Sequence, residues 1–268
     1  MALPITAYIR TLNEARLIGA VVEAAARVAD EVIVVDSGST DETAAIAKAA
    51  GARVIAQPWL GNGYQKRVGE NAARHDWLLD LDADEIVSAR LAVSIAALFD
   101  GDGPNESVYA LDLCLRPPGG PVWQRFFNVP RAKLYDRRQH RQPEHRAWDQ
   151  LPDIDPARIT LLAGPLIHHG HRDIAQVVEK MNRVSTVRAL ETRRRPMAEI
   201  VVRIVCLFPV YFWKQYVGKG GWRGGFYGFT LCTVLSLARW LRDVKMYEDR
   251  MGRRADQEDA GTAAADEG

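Results

Sequence analysis

Asp82, Asp84 and Glu85 stand together at the end of an apolar run, Trp77-Leu78-Leu79-Asp80-Leu81. Hard divalent cations such as Mg²⁺ and Mn²⁺ take oxygen ligands and keep positions open for phosphate oxygens, so aspartates at a strand end would dock a nucleotide diphosphate. Two aspartates held close without a cation would repel each other and raise a carboxyl pKa, which favours a bound metal. An Asp-x-Asp pair also occurs on solvated loops, so its weight depends on what else the chain brings to the same place.

Two further polar clusters follow apolar strands: Thr11-Leu12-Asn13-Glu14 after Ile5 to Ile9, and Asp36-Ser37-Gly38-Ser39-Thr40-Asp41 after Glu31 to Val35. The second of these strands is nearly continuous in β-branched residues, as a buried parallel strand should be. Between the strands, Ile18, Val21, Val22, Ala25 and Val28 recur at helical spacing. Ser39 with Glu42 forms a capping box for an alanine-rich helix that ends at Gly51. Arg53 to Ala56 reads as a third strand, Gly61 to Arg74 as a glycine-bearing turn and helix, and Ser88 to Phe99 as a helix after the fourth strand. This alternation over residues 1–100 predicts an α/β fold, a mostly parallel sheet flanked by helices, which binds ligands beyond the carboxyl ends of its strands.

The following stretch is less regular, with strands at Ser107 to Arg116 and Ala132 to Tyr135 and an apolar segment at Leu161 to Ile167. The expected division is a catalytic domain at 1–172, made of a nucleotide-sugar half at 1–100 and an acceptor half at 101–172, then a helical extension at 173–250 and a disordered tail at 251–268. Asp173 is placed to cap the first helix of the extension.

A formal net charge of +1 over 268 residues gives no reason to expect nucleic acid as a partner. Cys114, Cys206 and Cys232 are widely spaced, which indicates neither a disulfide framework nor a zinc site. No secretory segment precedes the first strand, so a cytoplasmic protein is expected. Ile200 to Trp213 and Phe226 to Leu241 are apolar, rich in aromatics and flanked by bases that include Arg193 to Arg195, Lys214, Lys219 and Arg223. They are short for spanning and interrupted by Arg203 and Arg239, so they suit the inner surface of the cytoplasmic membrane, contacted peripherally. Packing on the catalytic domain or on a second subunit is the competing reading, and an oligomer stays open.

Taken in order and spacing, Thr11-Leu12-Asn13-Glu14, Val34 to Asp41, Trp59 to Lys66 and Leu81 to Glu85 resemble family 2 glycosyltransferases of the GT-A fold, a Rossmann-related architecture. Within that family they are similar to the bacterial lipopolysaccharide core and capsule group. The resemblance covers roughly residues 3–245. It implies a metal-dependent inverting enzyme that moves a hexose from a nucleotide diphosphate sugar, UDP-glucose-like, to a lipid-linked glycan such as lipopolysaccharide core. Alternatives are a polyprenyl-phosphate or capsule acceptor, and a non-catalytic nucleotide-sugar-binding partner in a membrane assembly.

On this resemblance Thr11, Asn13, Glu14, Asp36, Ser39 and Asp41 line the donor pocket, with Asp82 on the ribose or the metal's hydration shell. Lys66 contacts the diphosphate, although Arg67 replaces the Asn that the pattern favours next to it. Asp84 ligates Mg²⁺ or Mn²⁺, and His168, within His168-His169-Gly170-His171, is a further ligand; His169 and His171 pack or face water. An inverting transfer also needs a base at the acceptor hydroxyl. Related chains carry His-Glu after a strand like Leu134-Tyr135-Asp136-Arg137, whereas this chain has Glu144-His145-Arg146, so Glu144 is the first candidate base and Asp149 the second.

Overall fold

The computed structural model describes residues 3–266 except 125, 153, 155–158 and 192–194, with side chains described to residue 252 except that of residue 191. It divides into two compact units, Met1–Gly170 and His171–Gly268.

The first unit alternates strands and helices as the sequence predicts. β1 (Ile5–Thr11), α1 (Ile18–Ala25), β2 (Glu31–Asp36), α2 (Thr43–Ala49), β3 (Arg53–Ala56), α3 (Asn62–Ala72) and β4 (Trp77–Asp82) come first. β5 (Glu85–Val87), α4 (Ala89–Leu98), β6 (Val108–Leu115), β7 (Val129–Asp136) and β8 (Thr160–His168) complete it. Their order in the single sheet is β3-β2-β1-β4-β7-β6-β8-β5. The β3-β2-β1-β4 half is parallel, which directs the carboxyl ends of β1, β2 and β4 to one edge. Beyond it β7 joins β4 and β6 antiparallel, β8 runs parallel to β6, and β5 closes the sheet antiparallel to β8.

Both faces of the parallel half are covered. Ile5, Ile9, Val34 and Leu79 pack with Ile18, Val21 and Val22 of α1, while Tyr8, Ile33, Val35, Leu78 and Tyr135 form a second cluster. This explains the unbroken Val-Ile-Val-Val of β2, which has no water-facing side to supply with polar residues. Ser88 caps α4 by accepting a hydrogen bond from Leu91 N at 3.2 Å. Two details differ from expectation. β7 is longer than Ala132 to Tyr135, because its first residues pair with β6. β5 has only three residues, too few for periodicity to reveal, and exists through its pairing with β8.

In the second unit, Asp173 accepts a hydrogen bond from Gln176 N at 2.8 Å, capping α5 (Ile174–Glu191) as expected. α6 (Met197–Trp213) runs on into a π-helical turn, Lys214–Gly218, and a 3₁₀ turn, Gly221–Gly224, leads into α7 (Gly225–Asp266). Buried Asp243 accepts from Arg242 at 2.7 Å and lies 3.2 Å from Arg203, and Trp240 Nε1 donates to the Ile204 carbonyl at 3.0 Å, so α6 and α7 are tied. Lys245 donates to Asn182 and Thr186 oxygens at 2.7 Å, joining α7 to α5. Arg193 and Arg194 lie outside the described residues, while Arg195 pairs with Glu199. α7 extends to Asp266, through the segment 251–266, whose Ala, Arg, Gln and Glu are good helix formers. Among the described residues no helix is long and apolar enough to cross a membrane.

Candidate active site

The loops after β1 and β2 close on each other at the sheet's carboxyl edge, where Thr11 and Asp36 are in register. Asn13 takes a left-handed conformation, φ 53°, which a short amide side chain tolerates. From there its Oδ1 accepts from Thr40 N at 2.8 Å and its own N–H donates to Ser39 Oγ at 2.9 Å. Ser39 donates through N (3.0 Å) and Oγ (2.5 Å) to the two carboxylate oxygens of buried Asp36. Glu14 N donates to Thr43 Oγ1 at 2.8 Å, and Thr43 Oγ1 donates in turn to Asp41.

The fold therefore brings Thr11, Asn13, Glu14, Asp36, Ser39 and Asp41 together at this edge. The capping box is not formed. α2 starts at Thr43, Glu42 makes no side-chain cap bond, and Ser39 serves Asp36 instead, because a carboxylate buried at a strand end needs donors more than a helix end in water does.

At the next strand end, charges alternate in sign around a cavity of about 330 Å³ lined by Lys66, Asp82, Glu85, Lys133, Asp149 and His168 among others. Arg10, in register with Asp82, donates to Asp82 Oδ1 at 2.6 Å and lies 2.9 Å from Asp149 Oδ2. Lys133 donates to Glu85 Oε2 at 2.6 Å and stands 3.8 Å from Asp82. Burial alone would raise the Asp82 pKa, but Lys133, Lys66 and Arg10 overcome it and hold the carboxyl well below the usual range. The expected repulsion between bare acids is thus absent at Asp82, because bases from β1 and β7 neutralise it. Burial, with Asp82 and Asp84 nearby, pushes Glu85 up against the pull of Lys133.

Lys66 lines the cavity and is not a solvated helix lysine. It is 4% exposed, donates to Asp80 Oδ2 at 2.7 Å and lies 3.6 Å from Asp149 Oδ2.

The two predicted metal ligands meet. β5 pairs Glu85 with His168, and His169 N donates to the Asp84 carbonyl at 2.8 Å, which leaves the Asp84 carboxylate 3.3 Å from His168 Nε2. Burial would lower the His168 pKa, yet the hydrogen bond and charge of Asp84 raise it. Both side chains are partly exposed, and a carboxylate with an imidazole fits Mn²⁺ or Mg²⁺ when phosphate and water fill the other positions. Among the described residues no three His, Cys, Asp or Glu side chains form a ready cation cage. His169 is pushed down by burial and by Arg116 and Arg16, and His171, in the second unit, stacks on Tyr227.

The two candidate bases separate. Glu144 is exposed and does not line the cavity, whereas Asp149 does. The glycine-bearing turn before α3 explains how the loop carrying both is held. A Cβ on Gly61 would lie 2.5 Å from Arg146 Cα and one on Gly63 would lie 2.1 Å from the Pro143 carbonyl oxygen, so both positions require glycine for backbone to pass backbone. Asn62 N donates to the Arg146 carbonyl at 2.8 Å and Gly63 N to His145 at 3.0 Å. Below, fully buried Glu70 accepts from Tyr135 Oη at 2.6 Å and Gln142 N at 2.8 Å.

Arg10, Lys133, Glu70 and Asn62 were not among the predicted site residues. A base at the end of β1 and another between Ala132 and Leu134 are charges inside apolar strands, a signal that a buried partner exists.

A family model described as glycosyl transferase family 2 matches residues 6–161. An uncharacterized glycosyltransferase of Rickettsia felis is 31% identical over 253 residues, covering 91% of this chain and 89% of its own. The lipopolysaccharide core biosynthesis glycosyltransferase LpsC of Rhizobium meliloti is 27% identical over 261 residues, covering 92% and 93%. Among solved structures, glucosyl-3-phosphoglycerate synthase from Mycobacterium tuberculosis in complex with Mg²⁺ and UDP shows 26% identity over 43% of this chain and 44% of that one, with a TM-score of 0.33.

Proposed function

The chain belongs to glycosyltransferase family 2, and from that premise we propose that it moves a hexose from a UDP-sugar to a lipid-linked glycan such as lipopolysaccharide core, at the inner face of the cytoplasmic membrane. The observation that carries this reading is the cavity where β4 ends, with Asp82 and Asp149 inside it and Asp84 beside His168. The named relative that spans nearly the whole chain, a lipopolysaccharide core enzyme, supports the acceptor class.

In this reading Thr11, Asn13, Glu14 and Asp36 receive the nucleoside, with Ser39 and Asp41 keeping their loop in shape. Asp84 and His168 would hold Mg²⁺ or Mn²⁺, which when bound neutralises charge on the leaving diphosphate. Lys66 acts from beneath, fixing Asp149 rather than touching the diphosphate. Asp149 accepts the proton of the acceptor hydroxyl as that oxygen forms its bond to the anomeric carbon. The bond to the diphosphate breaks on the opposite face, the diphosphate leaves with the electron pair, and the configuration inverts. Arg10 and Lys66 orient the Asp149 carboxylate for this contact.

Calorimetry of UDP-sugar binding with and without Mn²⁺, in the wild type and in Asp84→Ala, tests the donor site. Binding that requires Mn²⁺ and weakens by about tenfold or more in the variant is expected. Binding that ignores both metal and substitution would remove Asp84 from the metal site, and no binding by the wild type would remove the UDP donor.

A further inference from the structure

One side of α6 is left bare within the second unit. Val202, Val205, Pro209 and Trp213 recur at three- and four-residue spacing and are exposed, Val205 at 73%. The opposite side carries buried Ile200, the Ile204 carbonyl that receives Trp240, and Tyr211 next to Asp243. The bare stripe runs into an aromatic cluster at the helix end. Trp213 contacts Tyr216, Tyr216 contacts Phe229, and Phe229 contacts Phe226, which is 85% exposed.

Charge along this region has one sign. From Ile200 to Arg242 the chain contains no Asp or Glu, while it carries Arg203, Lys214, Lys219, Arg223, Arg239 and Arg242. Arg203 and Arg242 are engaged by Asp243, and Arg239 lies over Tyr211 at 5.4 Å. Lys214 and Lys219, which flank Tyr216 in the chain, are exposed and have no acidic partner among the described residues, and Arg223 stacks on exposed Trp222 at 5.2 Å.

We propose that this face docks on an anionic bilayer. α6 lies along the surface with its apolar stripe at the acyl boundary, the Trp and Phe side chains at headgroup depth, and Lys214 and Lys219 on lipid phosphates. Among the described residues no helix is long and apolar enough to cross a membrane, so the proposed contact is peripheral. A second copy fits the face less well, because two such faces brought together would bring Lys214 and Lys219 from both copies and, from residues 200–242, no acid to pair them. The inference deepens the membrane contact within the proposed function and rests on it.

Flotation of the full chain with phosphatidylcholine vesicles, and with phosphatidylcholine–phosphatidylglycerol vesicles, tests it. The wild type should float only with the anionic vesicles. Lys214→Glu with Lys219→Glu should weaken partitioning by about thirtyfold or more. Val205→Asp should weaken it by about tenfold, and because Val205 is exposed the fold is expected to survive, as an unchanged melting transition would show. Absence of flotation, flotation untouched by Val205→Asp, or a concentration-dependent dimer that Val205→Asp dissolves would each overturn the proposal. UDP binding, measured on the same samples, separates this failure from failure of the donor site, since Val205, Lys214 and Lys219 are not among the residues that line the cavity.

Discussion

Two neighbouring parts of the site are held by opposite means. The loops after β1 and β2 are laced by hydrogen bonds among Asn13, Ser39, Thr40 and Asp36, most of them near solvent. The cavity at the end of β4 is held by ion pairs between buried groups, Lys66 with Asp80 and Lys133 with Glu85. A hydrogen-bonded loop can rearrange around a nucleotide at the cost of exchanging partners with water, whereas a buried charge cannot lose its partner cheaply. The first arrangement suits a binding surface that adapts, and the second suits groups that must stay in place while charge moves.

If that contrast is right, the ion pairs carry the larger energies. Lys66→Met leaves the Asp80 carboxylate buried without its cation, and the expected loss is about 3–5 kcal/mol of stability by urea denaturation. A loss under about 1 kcal/mol would mean that Asp80 is repaired by Gln142, whose Nε2 lies 3.3 Å from the same oxygen, and the contrast would fail. Next in size is the comparison between the candidate bases. Asp149→Asn should lower kcat by about a hundredfold or more while UDP binding is retained, as removal of a general base does. Glu144→Gln, at an exposed position outside the cavity, should leave kcat within about twofold. Equal losses in the two variants would put the base on Glu144 and the ion-paired Asp149 in a supporting role.

The parallel half of the sheet was legible because each of its strands carries its own pattern. β2 runs Val-Ile-Val-Val into Asp36, and β4 ends in Asp82, so local sequence marked both the strand and the acid at its tip. Asp84 and His168 were singled out through the family resemblance, although β5, which puts them side by side, was not legible. Its three residues have no period to read, and the pairing Glu85 with His168 joins positions far apart in the chain. The partners of Asp82 and Asp149 were hidden for the same reason. Arg10 reaches them only because β1 and β4 are neighbours in the sheet, and the glycines at 61 and 63 signal close approach without naming the loop that approaches. Sequence also ranked Glu144 above Asp149 on nearness to a motif, while the fold turns Glu144 outward.

The smallest expected effect lies in the hydrogen-bonded loops and sharpens the contrast from the other side. Ser39→Ala removes the hydroxyl that bonds Asp36 Oδ1 and accepts from Asn13 N, but leaves the Ser39 N–H on Asp36 Oδ2. The carboxylate stays partly served, and the Asn13 N–H lies near enough to solvent to find water, so the expected cost is about 1.5 kcal/mol in the melting of the free protein. In the proposed donor complex the uridine would supply a replacement partner to Asp36, so the difference between wild type and variant should shrink when UDP is saturating. A stability loss that persists at full UDP occupancy would show that Ser39 serves the fold alone, and that Asp36 does not exchange its partner for the nucleotide. A loss that UDP erases would locate adaptation in this loop, and the ion-paired cavity, tested through Lys66→Met under the same saturation, should show no such recovery.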